Sequence, residues 1–261
     1  MLVEDKYLKF ALEIAKSAGD IIERDLSLQI KRTRKEDGTF LTGTDIYINR
    51  MVVKAVKDRF PGHSINSEEG SFFLEGSEYV WLCDPLDGTN QFARGVALCA
   101  FSLALVKNGK SVLGVIYDPF CKRMFYAREN KGAFLNGKKI KVSSSRSLSG
   151  SQFGAIHWRG AEFDFSRLPD VLRDNDARSM QVSIAYMGAL VAGGTFEGTI
   201  FPGTQPNETA AIKIIVEEAG GKVTDVFGND QRYDIPIKGH IASNGILHKR
   251  LLKIISSIIK P

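Results

Sequence analysis

The chain is poor in the residues that build disulfide frameworks and sulfur-based metal sites. Its 261 residues include three cysteines and four histidines, and neither set has the spacing of metal ligands. An odd number of cysteines without such spacing excludes a disulfide-stapled scaffold and a zinc-finger-like site, and it fits a reducing compartment. We interpret the dispersed histidines as ordinary surface or boundary residues; they are His63, His157, His240 and His248.

Long apolar runs and blocks of like charge are also missing. The longest apolar run, residues 95–106, is too short to span a bilayer and is typical of a buried strand. The first residues carry no apolar segment of the signal-peptide kind, so we expect a cytoplasmic protein without a membrane partner. The net charge of +5 is spread out, with its densest cluster at residues 31–35. This distribution suits a small anionic substrate and does not require nucleic acid.

The residues that are present predict a globular chain in which helices precede a sheet. Apolar side chains at helical spacing predict helices over 4–26 and from Thr44-Asp45 to Pro61-Gly62, with a turn at Asp37-Gly38-Thr39 between them. From 63 to 143, apolar runs separated by turns predict an antiparallel or mixed sheet, with a type I′ hairpin at Asn108-Gly109.

The stretch 145–175 is polar, and we expect it to be rich in loops and to form a boundary between an N-terminal half, 1–145, and a C-terminal half, 146–261. The second half alternates helices and strands. We expect helices at 184–193, 207–219 and 246–259, and strands at 196–201, 222–226 and 239–243.

The strongest chemical signal is an apolar, strand-like run that ends in Asp84-Pro85-Leu86-Asp87-Gly88-Thr89. Two carboxylates lie three residues apart, and the proline between them fixes φ and so directs the Leu86 carbonyl. Gly88 and Thr89 stand at the predicted start of a helix, where backbone N–H groups favour an anion. Because hard divalent cations prefer clustered oxygens, the run predicts a metal-dependent phosphate site. The acid spacing alone would also fit a turn in which Asp87 caps a helix.

Three other acidic segments are candidates for the same site. Glu68-Glu69 follows a short apolar stretch, and we expect only one of the two side chains to face a site because neighbours on an extended segment point opposite ways. Thr44-Asp45 precedes a helix, where either residue also fits an N-cap. Glu208 stands at a predicted helix start before small residues, which allow that helix to pack closely.

Together these segments resemble the inositol monophosphatase family of Mg²⁺-dependent, lithium-sensitive phosphatases. The resemblance follows the family's order and covers nearly the whole chain. It is carried by Thr44-Asp45, Glu68-Glu69, Asp84-Pro85-Leu86-Asp87-Gly88-Thr89, the acid-x-Ala-Ala helix that begins at Glu208, and the segments 115–119 and 132–137.

The resemblance implies an α+β or α/β fold, a layered α/β/α/β/α sandwich that forms homodimers and uses two or three Mg²⁺ ions. The metal ligands that it implies are Glu68, Asp84, the Leu86 carbonyl, Asp87 and Glu208. The catalytic residues that it implies are Glu68 and Thr89, which would orient and deprotonate a metal-activated water, and Asp45, which would accept a hydrogen bond from Thr89 or from the metal-bound waters. The substrate-binding positions that it implies are Asp87, Gly88, Thr89, Ser183, Ile184 and Phe201.

Two departures from the family pattern bear on strength and specificity. The late helix begins Asn207-Glu208 where the family has Trp-Asp, and glutamate is one methylene longer than aspartate. Phe201 stands where an acid contacts inositol hydroxyls in animal enzymes, and an aromatic ring cannot accept hydrogen bonds from a polyol. We therefore expect a Mg²⁺-dependent phosphomonoesterase for a small sugar, polyol or amino-alcohol phosphate. The alternatives are a fructose-1,6-bisphosphatase, a histidinol-phosphatase, a 3′-phosphoadenosine nucleotide phosphatase, or a weakly active member that acts as a regulatory binding protein.

Overall fold

The computed structural model describes residues 3–27, 30–35, 40–158 and 160–259, with the side chains of residues 3–5 left out. The turn predicted at Asp37-Gly38-Thr39 lies outside the described residues. The helices are α1 (Val3–Asp25), α2 (Gly43–Arg59), α3 (Thr89–Phe92), α4 (Leu168–Asp174), α5 (Ile184–Ala192), α6 (Ala210–Glu218) and α7 (His248–Ile258), with a 3₁₀ turn at Pro206–Glu208.

The strands form three sheets. The first half of the chain contributes β1 (Arg32–Arg34), β2 (Phe40–Thr42), β3 (Ser64–Ser67), β4 (Tyr79–Asp87), β5 (Ala100–Lys107), β6 (Lys110–Asp118), β7 (Arg123–Arg128), β8 (Gly132–Leu135) and β9 (Lys138–Lys139). The second half contributes β10 (Gln152–Ala155), β11 (Arg178–Met180), β12 (Gly198–Phe201), β13 (Lys222–Thr224) and β14 (His240–Ser243).

The largest sheet is mixed, as the sequence predicts. Its seven strands follow chain order from β3 to β9, and only the pair β3–β4 is parallel. The hairpin between β5 and β6 pairs Lys107 with Lys110, and its two central residues both have positive φ, 50° at Asn108 and 86° at Gly109. Positive φ at both positions defines the predicted type I′ turn.

Two-residue alternation distributes the strand side chains between separate cores. On β4, Trp81 and Cys83 pack with α1 and α2, whereas Leu82 faces α5 and α6. The smaller, five-stranded sheet has the order β11-β10-β12-β14-β13, and its residues divide in the same way: Phe201 faces α5 and α6, whereas Ile200 faces α4 and α7. The molecule is therefore a layered α/β/α/β/α sandwich, which confirms the expected fold.

In the sequence, the strands of the seven-stranded sheet precede residue 145 and those of the five-stranded sheet follow it. In space, α5 and α6 pack between these two sheets in one continuous core. The division into halves at that residue stays a prediction. Close packing of α6 is visible at Gly114 of β6, where an added Cβ would lie 2.8 Å from the Ala211 carbonyl oxygen. Among the described residues, no helix combines the length and the apolar character needed to cross a membrane.

Three expectations about local structure are wrong. The polar stretch 145–175 contains a strand, β10, and a helix, α4. β10 is stabilised by parallel pairing with β11 and β12, and its short local pattern does not indicate this pairing. The helix expected at 207–219 begins only at Ala210, since Thr209, with φ −128° and ψ −11°, is outside the helical conformation and separates α6 from the 3₁₀ turn. His63, His240 and His248 are buried, not surface residues.

Hydrogen bonds to side chains explain two of the three buried histidines. The His63 Nδ1 accepts from the Trp81 Nε1–H at 3.1 Å. The two ring nitrogens of His248 lie 3.0 Å from the Thr224 hydroxyl and 2.8 Å from the Ser243 hydroxyl. Contacts of this kind are non-local and are not visible in the spacing of the histidines.

Candidate active site

The acidic run at 84–87 remains in the sheet instead of leaving it. β4 continues through Asp87, which lies opposite Ala100 of β5, and a bulge separates this pair from the pair of Asp84 with Ser102. The bulge accommodates Pro85, which has no N–H to give to the ladder. Asp84 also accepts a hydrogen bond from the Leu86 backbone N–H at 3.0 Å. Both carboxylates are buried, with 2% and 8% of their residue surfaces exposed.

Gly88 turns the chain out of the strand and into the short helix α3. Its φ is 93°, in the left-handed region that favours glycine. An added Cβ would lie 2.8 Å from the Leu98 carbonyl oxygen and 3.1 Å from the Cys99 Cβ. Glycine is therefore required at position 88 for two reasons: the positive φ, and the lack of space for a Cβ beside the start of β5.

The start of α5 holds Asp87 from a point 96 residues further along the chain. The Ser183 hydroxyl and the Ala185 backbone N–H both donate to the Asp87 Oδ2, and the Ile184 N–H donates to its Oδ1 at 3.3 Å. Ser183 is also the N-cap of α5 and accepts from the Tyr186 N–H at 3.1 Å. Burial raises the pKa of Asp87 to about 6, while these donors act in the opposite direction.

A third buried acid, Asp45, lies in the first turn of α2. The N-cap of α2 is Thr42, so the expected cap at Thr44 or Asp45 is wrong. Asp45 is the N3 residue of a capping box and accepts from the Thr42 backbone N–H at 2.9 Å. Its other oxygen lies 3.0 Å from the Thr89 hydroxyl, which is also 2.8 Å from the Leu86 carbonyl. Burial raises the pKa of Asp45 to about 6.

Glu68 and Glu69 follow the end of β3 in a turn, not in an extended segment. Both carboxylates contact the Lys35 ammonium, at 2.8 Å for Glu68, so the expectation that they point opposite ways is wrong. Only Glu68 lines the large cavity described below. The contacts to both carboxylates raise the pKa of Lys35 and keep it charged, although burial acts against this.

One cavity of about 820 Å³ brings the predicted residues together. Its acidic end is formed by Glu68, Asp84, Asp87 and, from the 3₁₀ turn before α6, Glu208. Leu86, Gly88 and Thr89 line the same end. Ile184 and Phe201 line the cavity as well, whereas Ser183 and Asp45 stand behind Asp87 and Thr89 and are not lining residues.

The acidic end concentrates negative charge. Burial raises the pKa of Asp84 well above its usual range, and the charges of Glu68, Asp87 and Glu208 raise it further. The four acids come from three separate segments of the chain, and Glu68 has Lys35 as a cationic neighbour. Such a concentration of carboxylates is costly unless it is neutralised by protons or cations.

The donor set is suited to a hard divalent cation. It consists of carboxylates and a backbone carbonyl, without nitrogen or sulfur ligands, which is the chemistry that Mg²⁺ prefers. In the parts of the chain that the structure describes, no three histidine, cysteine or acidic side chains are already gathered closely enough to hold a metal ion. Present partners account for this spacing, since Lys35 holds Glu68 and the start of α5 holds Asp87.

Comparisons with known proteins show the family of this chain. The family model described as the inositol monophosphatase family matches residues 3–260. The chain belongs to this family. A Thermotoga maritima protein named fructose-1,6-bisphosphatase/inositol-1-monophosphatase is 31% identical over 97% of each chain. A Pseudomonas aeruginosa protein named Nus factor SuhB is 32% identical over 97% of each chain.

A solved structure extends the agreement to the fold. The Thermotoga maritima IMPase superposes with a TM-score of 0.87 at 29% identity, over 97% of this chain and 98% of that one. Membership of the inositol monophosphatase family places this chain among the phosphomonoester hydrolases, and the family is generally metal-dependent.

Sequence reasoning missed three residues that shape this family site. Thr42 is recoverable, because Thr42-x-x-Asp45 has the spacing of a capping box. Lys35 stands in the basic cluster at 31–35, but nothing in that cluster indicates which lysine meets the two glutamates. Trp158, an exposed aromatic residue in a loop, lines the cavity, and its type was the available signal.

Proposed function

We propose that the chain hydrolyses a small phosphate monoester, of a sugar, polyol or amino alcohol, with Mg²⁺ as its cofactor. The observation that carries the proposal is the convergence of Glu68, Asp84, Asp87 and Glu208 on one end of a cavity that Gly88 and Thr89 also line. Four carboxylates lining one cavity would repel a phosphate dianion unless cations neutralise them. The same four acids and the Leu86 carbonyl would hold two or three such ions. When bound, these ions would neutralise charge on the phosphoryl group and activate a water.

The chain's own residues would divide the remaining work. The Thr89 hydroxyl can donate its single proton either to the Asp45 carboxylate or to the Leu86 carbonyl. When it donates to Asp45, its oxygen can accept a proton from an adjacent water while its own proton passes to Asp45. Asp45 is buried and has a raised pKa, which suits a proton acceptor operating near neutral pH. Glu68, at the open side of the cavity, is the second proposed group for orienting that water.

Phosphate release from a panel of monoesters tests the proposal. The panel contains inositol 1-phosphate, fructose 1,6-bisphosphate, histidinol phosphate and a 3′-phosphoadenosine nucleotide, each with Mg²⁺ and with or without lithium. Asp87→Asn is nearly isosteric and is expected to lower kcat by orders of magnitude with the fold intact, which thermal melting checks. Retained activity in a folded Asp87→Asn variant would remove Asp87 from the metal site.

A second candidate function is regulatory binding with a weakened site. Two observations favour it: the relative named Nus factor SuhB, and Glu208 in place of the aspartate expected from the family pattern. Absence of turnover across the whole panel would support this candidate. The homodimer expected from the family resemblance stays a prediction, which sedimentation equilibrium of the purified chain can test.

A further inference from the structure

The lining of the cavity includes an aromatic patch besides the acids. Trp158 and Phe201 form it, beside Ile156 and Val182, and polar residues such as Gln181 and Gln205 line the cavity as well. With the phosphoryl group at the acids, the alcohol part of the ester would occupy the rest of this cavity.

Trp158 and Phe201 form a paired aromatic surface. Their ring centroids are 5.8 Å apart and the planes are inclined by 48°. Phe201 is 2% exposed and fixed in the core by β12, whereas Trp158 leaves 43% of its surface open. A large aromatic side chain left open at the edge of a cavity has a free face on which a flat group can stack.

Gly203 keeps the two rings close to the backbone. A Cβ at this position would lie 2.4 Å from the Phe201 Cζ and 3.2 Å from the Trp158 ring. Any other residue would push the rings apart or into the cavity. The aromatic surface therefore depends on three positions of this chain, Trp158, Phe201 and Gly203, none of which is a proposed metal ligand.

We propose that this surface selects a phosphate ester whose leaving alcohol carries a flat unsaturated ring, which stacks on Trp158 while the phosphoryl group lies at the acids. The inference deepens the proposed phosphatase function and rests on it. The faces of the two rings offer no hydrogen-bond acceptor to a polyol lying against them, and hydroxyl groups that lose water without gaining a partner reduce affinity. A ring face loses little hydration and gains stacking and apolar contact.

Two esters with similar aliphatic leaving groups provide the kinetic test: 2-phenylethyl phosphate and glycerol 2-phosphate. The measured quantity is the ratio of their kcat/KM values, in which the common phosphoryl chemistry cancels. We expect the ratio to favour the phenylethyl ester and to fall about tenfold in Trp158→Ala, which corresponds to about 1.4 kcal/mol. Trp158→Phe, which keeps a ring, should retain most of the preference.

Phe73→Ala is the matched control, since Phe73 is another exposed aromatic residue, 66% accessible, and it does not line the cavity. Its ratio should equal that of the wild type. An unchanged ratio in Trp158→Ala, or a wild-type preference for glycerol 2-phosphate, would overturn the inference while leaving the phosphatase function in place.

A binding measurement separates this inference from the proposed function. Trp158 and the fully buried Trp81 are the two tryptophans of the chain, so a blue shift of the emission on ligand binding reports on Trp158. The probe is 3-phenylpropylphosphonate, which has no cleavable C–O–P bond, added with Mg²⁺. A shift in the wild type that is lost in Trp158→Phe supports the ring site even if no ester is hydrolysed. Phosphonate binding without any shift overturns the ring site, as does an absence of binding.

Discussion

Ser183 is the position at which the structure makes its sharpest energetic prediction. Its hydroxyl donates to the buried Asp87 carboxylate and accepts from the Tyr186 N–H, so one atom both caps α5 and holds a proposed metal ligand. Ser183→Ala removes both hydrogen bonds. The residue is 1% exposed, so water has no ready access to replace them.

The magnitude follows from the two bonds. Loss of a serine N-cap costs about 1 kcal/mol, and loss of a hydrogen bond to a charged group costs about 1.5–3 kcal/mol. Because Ile184 and Ala185 still donate to Asp87, we expect a total of about 2–4 kcal/mol instead of the larger penalty of an abandoned buried charge. For a chain of this size the melting temperature should fall by about 5–15 °C.

Differential scanning calorimetry with and without Mg²⁺ measures this effect, and phosphate release measured on the same sample shows whether the position of Asp87 matters for turnover. Ser256→Ala is the matched control, since Ser256 is an exposed serine of α7 that bonds only to the Lys253 carbonyl. It should change the melting temperature by less than about 2 °C. A shift as small as the control's in Ser183→Ala, with normal turnover, would refute the reasoning about the start of α5.

Three further predictions concern the turn, the late acid and a buried histidine. Gly88→Ala places a Cβ 2.8 Å from the Leu98 carbonyl oxygen at a residue whose φ is 93°. Thermal melting should show a destabilisation of about 2–4 kcal/mol, and phosphate release should be abolished. A stable, active variant would contradict the requirement for glycine in this turn. Glu208→Ala should sharply raise the Mg²⁺ concentration for half-maximal activity, whereas Glu208→Asp should not; equal Mg²⁺ titrations for wild type and Glu208→Ala would remove Glu208 from the ligands. Burial lowers the pKa of His240 to about 3, so below pH 6.5 the unfolded chain binds a proton that the folded chain does not. The free energy of unfolding should therefore fall with falling pH, by up to about 1.4 kcal/mol per pH unit, and the slope should be shallower in His240→Gln. Equal slopes for the two proteins in calorimetric melts from pH 6.5 to 4 would contradict the burial of a neutral His240.

Features that depend on local pattern could be predicted from the sequence. Alternation along β4 assigns Trp81 and Leu82 to opposite faces, and Asn108-Gly109 specifies its own hairpin. The order of the residues at 84–87 is specific enough to indicate the family resemblance. The resemblance in turn predicts that Asp84 and Asp87 line the same site as Glu208.

Features that depend on distant partners could not be predicted. Nothing near Asp87 in the sequence indicates that its donors come from Ser183 and Ala185. The strand Gln152–Ala155 is stable because it pairs with two other strands, and no local signal replaces that pairing. The burial of His63, His240 and His248 could not be predicted either, because it depends on the helices and strands that cover them in the fold.

The most direct test of the central claim is phosphate release by the wild type and Asp84→Asn over a full Mg²⁺ titration. Asp84 is the acid on which the charges of the other three act, and it is 2% exposed. We predict that wild-type release requires Mg²⁺ and stops when the metal is chelated, and that folded Asp84→Asn remains inactive at every Mg²⁺ concentration. Turnover by Asp84→Asn at the wild-type rate, or wild-type turnover that persists with the metal removed, would contradict the account.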